Sequence, residues 1–168
     1  RDVIRAGVSI VQMREKDGTA AERLELAGKL REITAVEGAA FVVNDEPLIA
    51  RDVGADGVHI GQDDVTVAEA RAIVGPSSWV GLSTHDADQI KAAAREDVDM
   101  IGVGPIFATT TKANAGDPVG AGLITQARVF APDTPAFAIG GITPENVGQL
   151  VRRDHRHVAV SSAILGAD

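Results

Sequence analysis

The sequence predicts a parallel α/β fold, and three features of the chain predict it. Seven short apolar runs (Val8–Arg14, Ala39–Asp45, Gly57–Gln62, Trp79–Thr84, Met100–Ile106, Ala136–Gly141 and His157–Ala163) each end in small, polar or charged residues. Segments of helical periodicity lie between them in alternation. The runs are apolar nearly throughout rather than alternating in polarity, as strands of a parallel sheet covered on both faces must be.

Taken in order, Val3–Ala6 reads as a helix end running into the first strand. Thr19-Ala20-Ala21-Glu22 is a capping-box pattern, in which a hydroxyl and a carboxylate satisfy each other's backbone amides, and Leu26, Leu30 and Ile33 follow along one helix stripe. Pro47–Val53 predicts a short helix stopped by Gly54. Thr66-Val67-Ala68-Glu69 repeats the capping box ahead of Ala70, Ile73 and Val74. Asp86 caps a helix carrying Ile90, Ala93 and Ala94, and Leu123–Phe130 predicts another. Thr143 and Pro144 read as N-cap and first helical residue, with Val147, Leu150 and Val151 facing inward. Residues 50–61 and 94–104 echo each other: a helix end, an Asp turn and a strand closing on glycine.

Such alternation fits either an open doubly wound sheet or a (βα)8 barrel with a unit missing. No strand leads into a glycine-rich dinucleotide turn with an acidic residue about 20 positions on, which a Rossmann half requires. A barrel ordinarily takes about 200 residues or more, and this chain has 168. The expectation is therefore one TIM-barrel domain spanning residues 1–168, with the first βα unit upstream of Arg1 and the last helix lacking.

Composition narrows the function. With no cysteine there is no disulfide, thiolate ligand or cysteine nucleophile. No run of 18 or more apolar residues or signal segment occurs, so a soluble, cytoplasmic protein without a membrane role is expected. A net charge of −8 argues against nucleic acid as a partner. It leaves small anionic substrates open, because a few focused cations and a metal suffice for phosphate. A homo-oligomer also stays open.

In a parallel α/β protein the strand C-termini share one face, so residues far apart in sequence converge there. Gln12, Arg14 and Lys16 end the first run and fall on one side by strand alternation. An Arg fork and a Lys point charge suit a diphosphate. Asn44 and Asp45 end the second run, and Asp63 and Asp64 follow the third. A pair of carboxylates from neighbouring strand ends suits Mg²⁺, which takes its other oxygens from water and diphosphate. Either aspartate alone also reads as a helix cap or loop acid. Ser83 ends the fourth run. Gly104 to Lys112, with Thr109, Thr110 and Thr111, leaves the fifth as a polar loop able to close over an anion. Gly140 and Gly141 let a ligand oxygen approach backbone amides, and Ser161 and Ser162 close the last run. His59 reads as a hydrogen-bonded core residue and His85 as a cap or site-edge residue. His155 and His157 read as exposed, and Trp79 and the phenylalanines as core.

The segments QMREK, VVNDEPLIARDVGADGVHIGQDD, GLSTHD, GVGPIFATTTK, AIGGIT and VSSAI, in this order and spacing, resemble the thiamine-phosphate synthase family over nearly the whole chain. The resemblance implies a (βα)8 barrel joining an aminopyrimidine methyl diphosphate to a thiazole phosphate, with Mg²⁺ as cofactor and diphosphate released. It places Gln12, Arg14, Lys16 and Asn44 on the pyrimidine diphosphate, Asp45 and Asp64 on Mg²⁺, and Ser83 on the pyrimidine. Lys112 falls on the diphosphate, and Thr109 to Thr111, Gly141, Ser161 and Ser162 on the thiazole phosphate. The catalytic set is then Arg14, Lys16, Lys112 and Ser83. The chain departs from the family where residues 152–157 replace a small Gly/Ala-rich approach to the last strand, which bears on the register of Ser161 and Ser162. Two rivals stand beside this reading. A thiazole tautomerase would be expected to lack the metal and diphosphate residues and to carry a His at Pro105. The other is a non-catalytic phosphate-ligand binding protein.

Overall fold

The computed structural model describes residues 1–111 and 116–166, which fall into two compact units divided between Gly81 and Leu82. The first unit runs α1 (Asp2–Arg5), β1 (Ile10–Met13), α2 (Ala20–Glu37), β2 (Ala40–Asn44), α3 (Pro47–Asp52), β3 (Gly57–Ile60) and α4 (Val67–Val74), and then enters β4 (Trp79–Thr84). Parallel pairing sets Ile10 beside Ala40 and Met13 beside Val43, then Val42 beside Gly57 and Asn44 beside His59. The second unit takes up the end of β4, then α5 (Ala87–Ala93), β5 (Met100–Val103), α6 (Gly122–Phe130), β6 (Ala136–Ile139), α7 (Gly148–Val151), β7 (Val158–Ala159) and α8 (Ser162–Leu165). Here Ile101 pairs with Ala136, and Ala138 with Val158. Within each unit the strands follow chain order, without the reversal that marks a doubly wound sheet.

Local chemistry explains the boundaries. Thr19 and Thr66 both close complete capping boxes: each hydroxyl accepts from the amide three residues on, and Glu22 and Glu69 return to the Thr amides at 2.8 Å. Asp86 accepts from the amides of Asp88 and Gln89. Gly38 ends α2 at φ 78°, a left-handed conformation that costs glycine little. The first core is Phe41, Val43, Val58, Ile60 and Val80, all essentially inaccessible. The second gathers Ile90, Ile101, Val103, Ile106, Ile124, Ala138 and Leu150. At Gly57 an added Cβ would stand 2.8 Å from both Cβ and the carbonyl oxygen of Trp79, so the close approach of β3 to β4 needs a bare backbone.

On α2 the stripe of Leu26, Leu30 and Ile33 is half-buried as expected, and Ala27 and Thr34 are the fully buried residues. Several expectations are corrected. Trp79, at 37% exposure, is a strand-start surface residue. The helix expected from Thr143 starts at Gly148; residues 144–147 are a turn, and Val151 is exposed. The last strand is two residues long, and Ser162 opens a helical turn instead of closing a strand. His155 is buried. Its Nε2–H donates to the carbonyl of His157 at 2.8 Å, which removes the polar group's need for water. Among the described residues no helix is long and apolar enough to cross a membrane.

Candidate active site

In the first unit, three consecutive strand ends bring three charges together. Lys16, beyond β1, forms an ion pair with Oδ2 of Asp45, beyond β2. Asp64, beyond β3, is near enough to Asp45 for the two carboxyl groups to act on each other. Asp45 is placed by its backbone. Its amide donates to the carbonyl of His59 at 2.8 Å, and the residue takes φ 62°, left-handed geometry that aspartate tolerates better than most residues. Strain of this kind concentrates where a side chain must be aimed. Asp64 is fixed by the Gly61 amide, which donates to its Oδ2 at 2.7 Å.

The electrostatics are those of two acids forced together. Burial of the carboxyl end pushes the Asp64 pKa up, and proximity to Asp45 adds to it. The Gly61 amide and Lys16 pull the other way. The residue as a whole is exposed, while its carboxyl oxygen Oδ2 lies against Gly61. Beside this cluster Arg23 grips Glu46 through Nε at 2.9 and 3.0 Å, tying the start of α3 to α2. Gln12 and Arg14 are exposed on either side of the buried Met13, which fits strand alternation at that point. Lys16 lies three residues past the end of β1, so its position comes from the turn and the ion pair rather than from alternation. Asn44 is half-buried at the end of β2.

The second unit holds a different kind of rim, made mostly of backbone. The Ile106 and Phe107 amides donate to the carbonyls of Ile139 and Gly140 at 2.8 and 3.1 Å. An added Cβ at Gly104 would lie 2.3 Å from the Ile139 carbonyl oxygen, and one at Gly141 would lie 2.3 Å from that of Ala108. Gly140 and Gly141 also hold φ 89° and 63°. Glycine is required here both by space and by conformation. His85 sits half-buried at the end of β4, its Nδ1 2.5 Å from the Gly104 carbonyl, so that nitrogen carries the proton. Thr109 and Thr111 are linked through their hydroxyls at 3.3 Å. Ser83 is half-buried, Thr110 is exposed, and Ser161 and Ser162 are exposed around α8. Lys112 lies outside the described residues. The turn after β6 is held by Asn146, which the sequence reading passed over. Asparagine's general preference for turns was the one signal available in the sequence.

Asp45 and Asp64 offer a cation only carboxylate oxygens, one of which is already paired with the Lys16 ammonium. That donor set fits a hard divalent ion. Among the described residues no third acid, histidine or cysteine joins them, so the remaining positions would fall to water and to oxygens of a bound anion.

The family model described as thiamine monophosphate synthase matches residues 1–164. A thiamine-phosphate synthase of Pelotomaculum thermopropionicum is 42% identical over 166 residues, 99% of this chain and 76% of that protein. One from Gloeobacter violaceus is 40% identical over 96% of this chain, which spans about half of that protein, 47%. The solved structure of a thiamine phosphate pyrophosphorylase from Pyrococcus furiosus superposes with a TM-score of 0.90 at 29% identity, covering 99% of this chain and 79% of that one. Relatives of this kind are transferases that form thiamine phosphate. With the family model matched from Arg1 to Ile164 and relatives about 40% identical over nearly the whole chain, the chain belongs to the thiamine monophosphate synthase family.

Proposed function

We propose that the chain transfers the aminopyrimidine methyl group from its diphosphate to the nitrogen of a thiazole phosphate, giving thiamine phosphate and diphosphate with Mg²⁺ as cofactor. The observation that carries this is the Lys16–Asp45–Asp64 cluster. Cation and paired carboxylates at adjacent strand ends are what a metal-assisted diphosphate site needs, and the family's reaction releases diphosphate. The (βα)8 barrel expected from the sequence is part of the same proposal, supported by strands lying in chain order within each unit.

In this reading Arg14 and Lys16 hold the diphosphate of the first substrate, with Gln12 and Asn44 beside them and Lys112 from the loop. Asp45 and Asp64 hold Mg²⁺, which supplies positive charge where the diphosphate oxygens gain negative charge. The C–O bond to the methylene carbon breaks with its electron pair leaving on diphosphate, and the thiazole nitrogen's lone pair forms the new C–N bond. No general base is called for, because no proton has to leave for that bond to form. The protein's work is preorganised charge and alignment. Ser83 would orient the pyrimidine. Thr109 to Thr111, Gly141, Ser161 and Ser162 would take the thiazole phosphate.

The test is incubation of the chain with both substrates, with Mg²⁺ and with chelator. Thiamine phosphate that forms only with the metal supports the proposal. Binding of diphosphate without turnover would replace it with the non-catalytic binding reading.

A further inference from the structure

We propose that Asn146 is a positioning residue for the thiazole-phosphate end of the reaction, acting by fixing the direction of the Gly140–Gly141 backbone. This deepens the proposed function and rests on it. Asn146 Nδ2 donates to the Gly141 carbonyl at 2.7 Å, and Asn146 Oδ1 accepts from the Thr143 amide at 2.9 Å. The two bonds fix the amide's orientation, since one partner can only accept and the other can only donate. The Asn146 amide also donates to the Thr143 carbonyl at 3.2 Å, so backbone and side chain close the turn together.

The chemistry follows from what this clamp removes from the turn's surface. A carbonyl oxygen beside a phosphate repels it, and an amide that can rotate away binds it weakly. Asn146 takes the Gly141 carbonyl as its own acceptor and so turns that dipole away from any anion approaching the glycine amides. From the other side the turn is held rigidly. Gly140 abuts Pro105, and Gly141 abuts Ala108 and Phe107, so the glycine pair cannot shift toward the β5 loop. Asn146 holds the remaining side. No helix of useful length follows to help, because α7 begins only at Gly148 and has four residues. The side-chain clamp therefore does the orienting that a long helix N-terminus does elsewhere.

The experiment measures steady-state kinetics of wild type, Asn146→Ala and Asn146→Asp with thiazole phosphate and with the corresponding unphosphorylated thiazole alcohol. Thermal melts run alongside. For Asn146→Ala we expect the KM for thiazole phosphate to rise about tenfold, the cost of one oriented hydrogen bond, and the KM for the aminopyrimidine diphosphate to stay within about twofold. The advantage of phosphate over alcohol should shrink by the same factor, a readout that general loosening of the fold would not move. Asn146→Asp keeps the acceptor for the Thr143 amide while replacing the donor to the Gly141 carbonyl with an oxygen. It should lose the phosphate advantage too, which guards against an alanine variant that fails to fold. Equal changes in both KM values, or an unchanged phosphate advantage in the two variants, overturns the role of Asn146 alone. A wild-type chain that forms no thiamine phosphate overturns the proposed function and this inference with it.

Discussion

Asp64→Asn should make the metal-free chain slightly more stable while impairing its chemistry, a combination that separates a metal-site acid from a structural one. The amide keeps the geometry: its Oδ1 still accepts from the Gly61 amide, now at 2.7 Å from the carboxylate. What disappears is a negative charge held beside Asp45, whose own side chain is only 20% exposed. Two like charges about 4 Å apart repel by roughly 1 kcal/mol in water and about 4 kcal/mol at the effective dielectric of a protein surface. The site is open to solvent and Lys16 offsets part of the repulsion, so the lower figure applies. Relief of about 1 kcal/mol corresponds to a rise in Tm of about 2–4 °C for a chain this size. Mg²⁺ should reverse the order. An ion at ten times its Kd stabilises the wild type by about 1.4 kcal/mol through mass action, and the variant by less. Turnover at limiting Mg²⁺ should fall by about tenfold or more, since even outer partners of a metal site cost that much. Melting curves of both proteins in chelator and in Mg²⁺, with product formation across a Mg²⁺ titration, check it. A variant several degrees less stable in chelator, with an unaltered Mg²⁺ dependence, would show that Asp64 merely braces the turn after β3.

Much of this was legible because it follows from local rules. Both capping boxes, the Asp86 cap and the strand order rest on spacing and on side-chain chemistry within a few residues. The meeting of Lys16, Asp45 and Asp64 was legible because parallel strands put their ends on one side. What escaped depended on packing. Thr143 opens a turn instead of a helix, its amide donating to the Asn146 side chain while Gly140 lodges against Pro105, contacts that no periodicity encodes. His155 stands in a charged stretch of the chain and still turns inward, because the His157 carbonyl satisfies its one N–H. On α2, Ala27 and Thr34 take the buried line because short side chains allow close approach, while the longer Leu26, Leu30 and Ile33 flank it. The left-handed turn at Asp45 has no sequence marker, and it is what aims the carboxylate at Lys16.

Three further outcomes follow from the same structure. Gly141→Ala should abolish thiamine phosphate formation and destabilise the second unit, because its Cβ would lie 2.3 Å from the Ala108 carbonyl oxygen at a φ of 63°; a soluble variant with wild-type Tm and KM would refute the close approach. Thr66→Ala should cost about 1 kcal/mol by removing the hydroxyl that accepts from the Glu69 amide, read as a lower urea midpoint at unchanged slope. The last concerns acid. Burial holds the His155 imidazole below its ordinary value of 6.5, with the His157 carbonyl opposing the shift, and His157 and Arg128 adding to it by like charge. The folded state therefore binds fewer protons than the unfolded chain once the pH drops below about 6.5, the free imidazole range. Stability from this residue is fully present above that pH and declines as the pH falls toward the depressed folded value. Gln at 155 can keep a donor to the His157 carbonyl without titrating, so the gap between His155→Gln and wild type should move in the variant's favour as the buffer goes from pH 7.5 to pH 5. Parallel Tm curves over that range would mean that the ring accepts its proton without leaving its site, and the burial argument would fail.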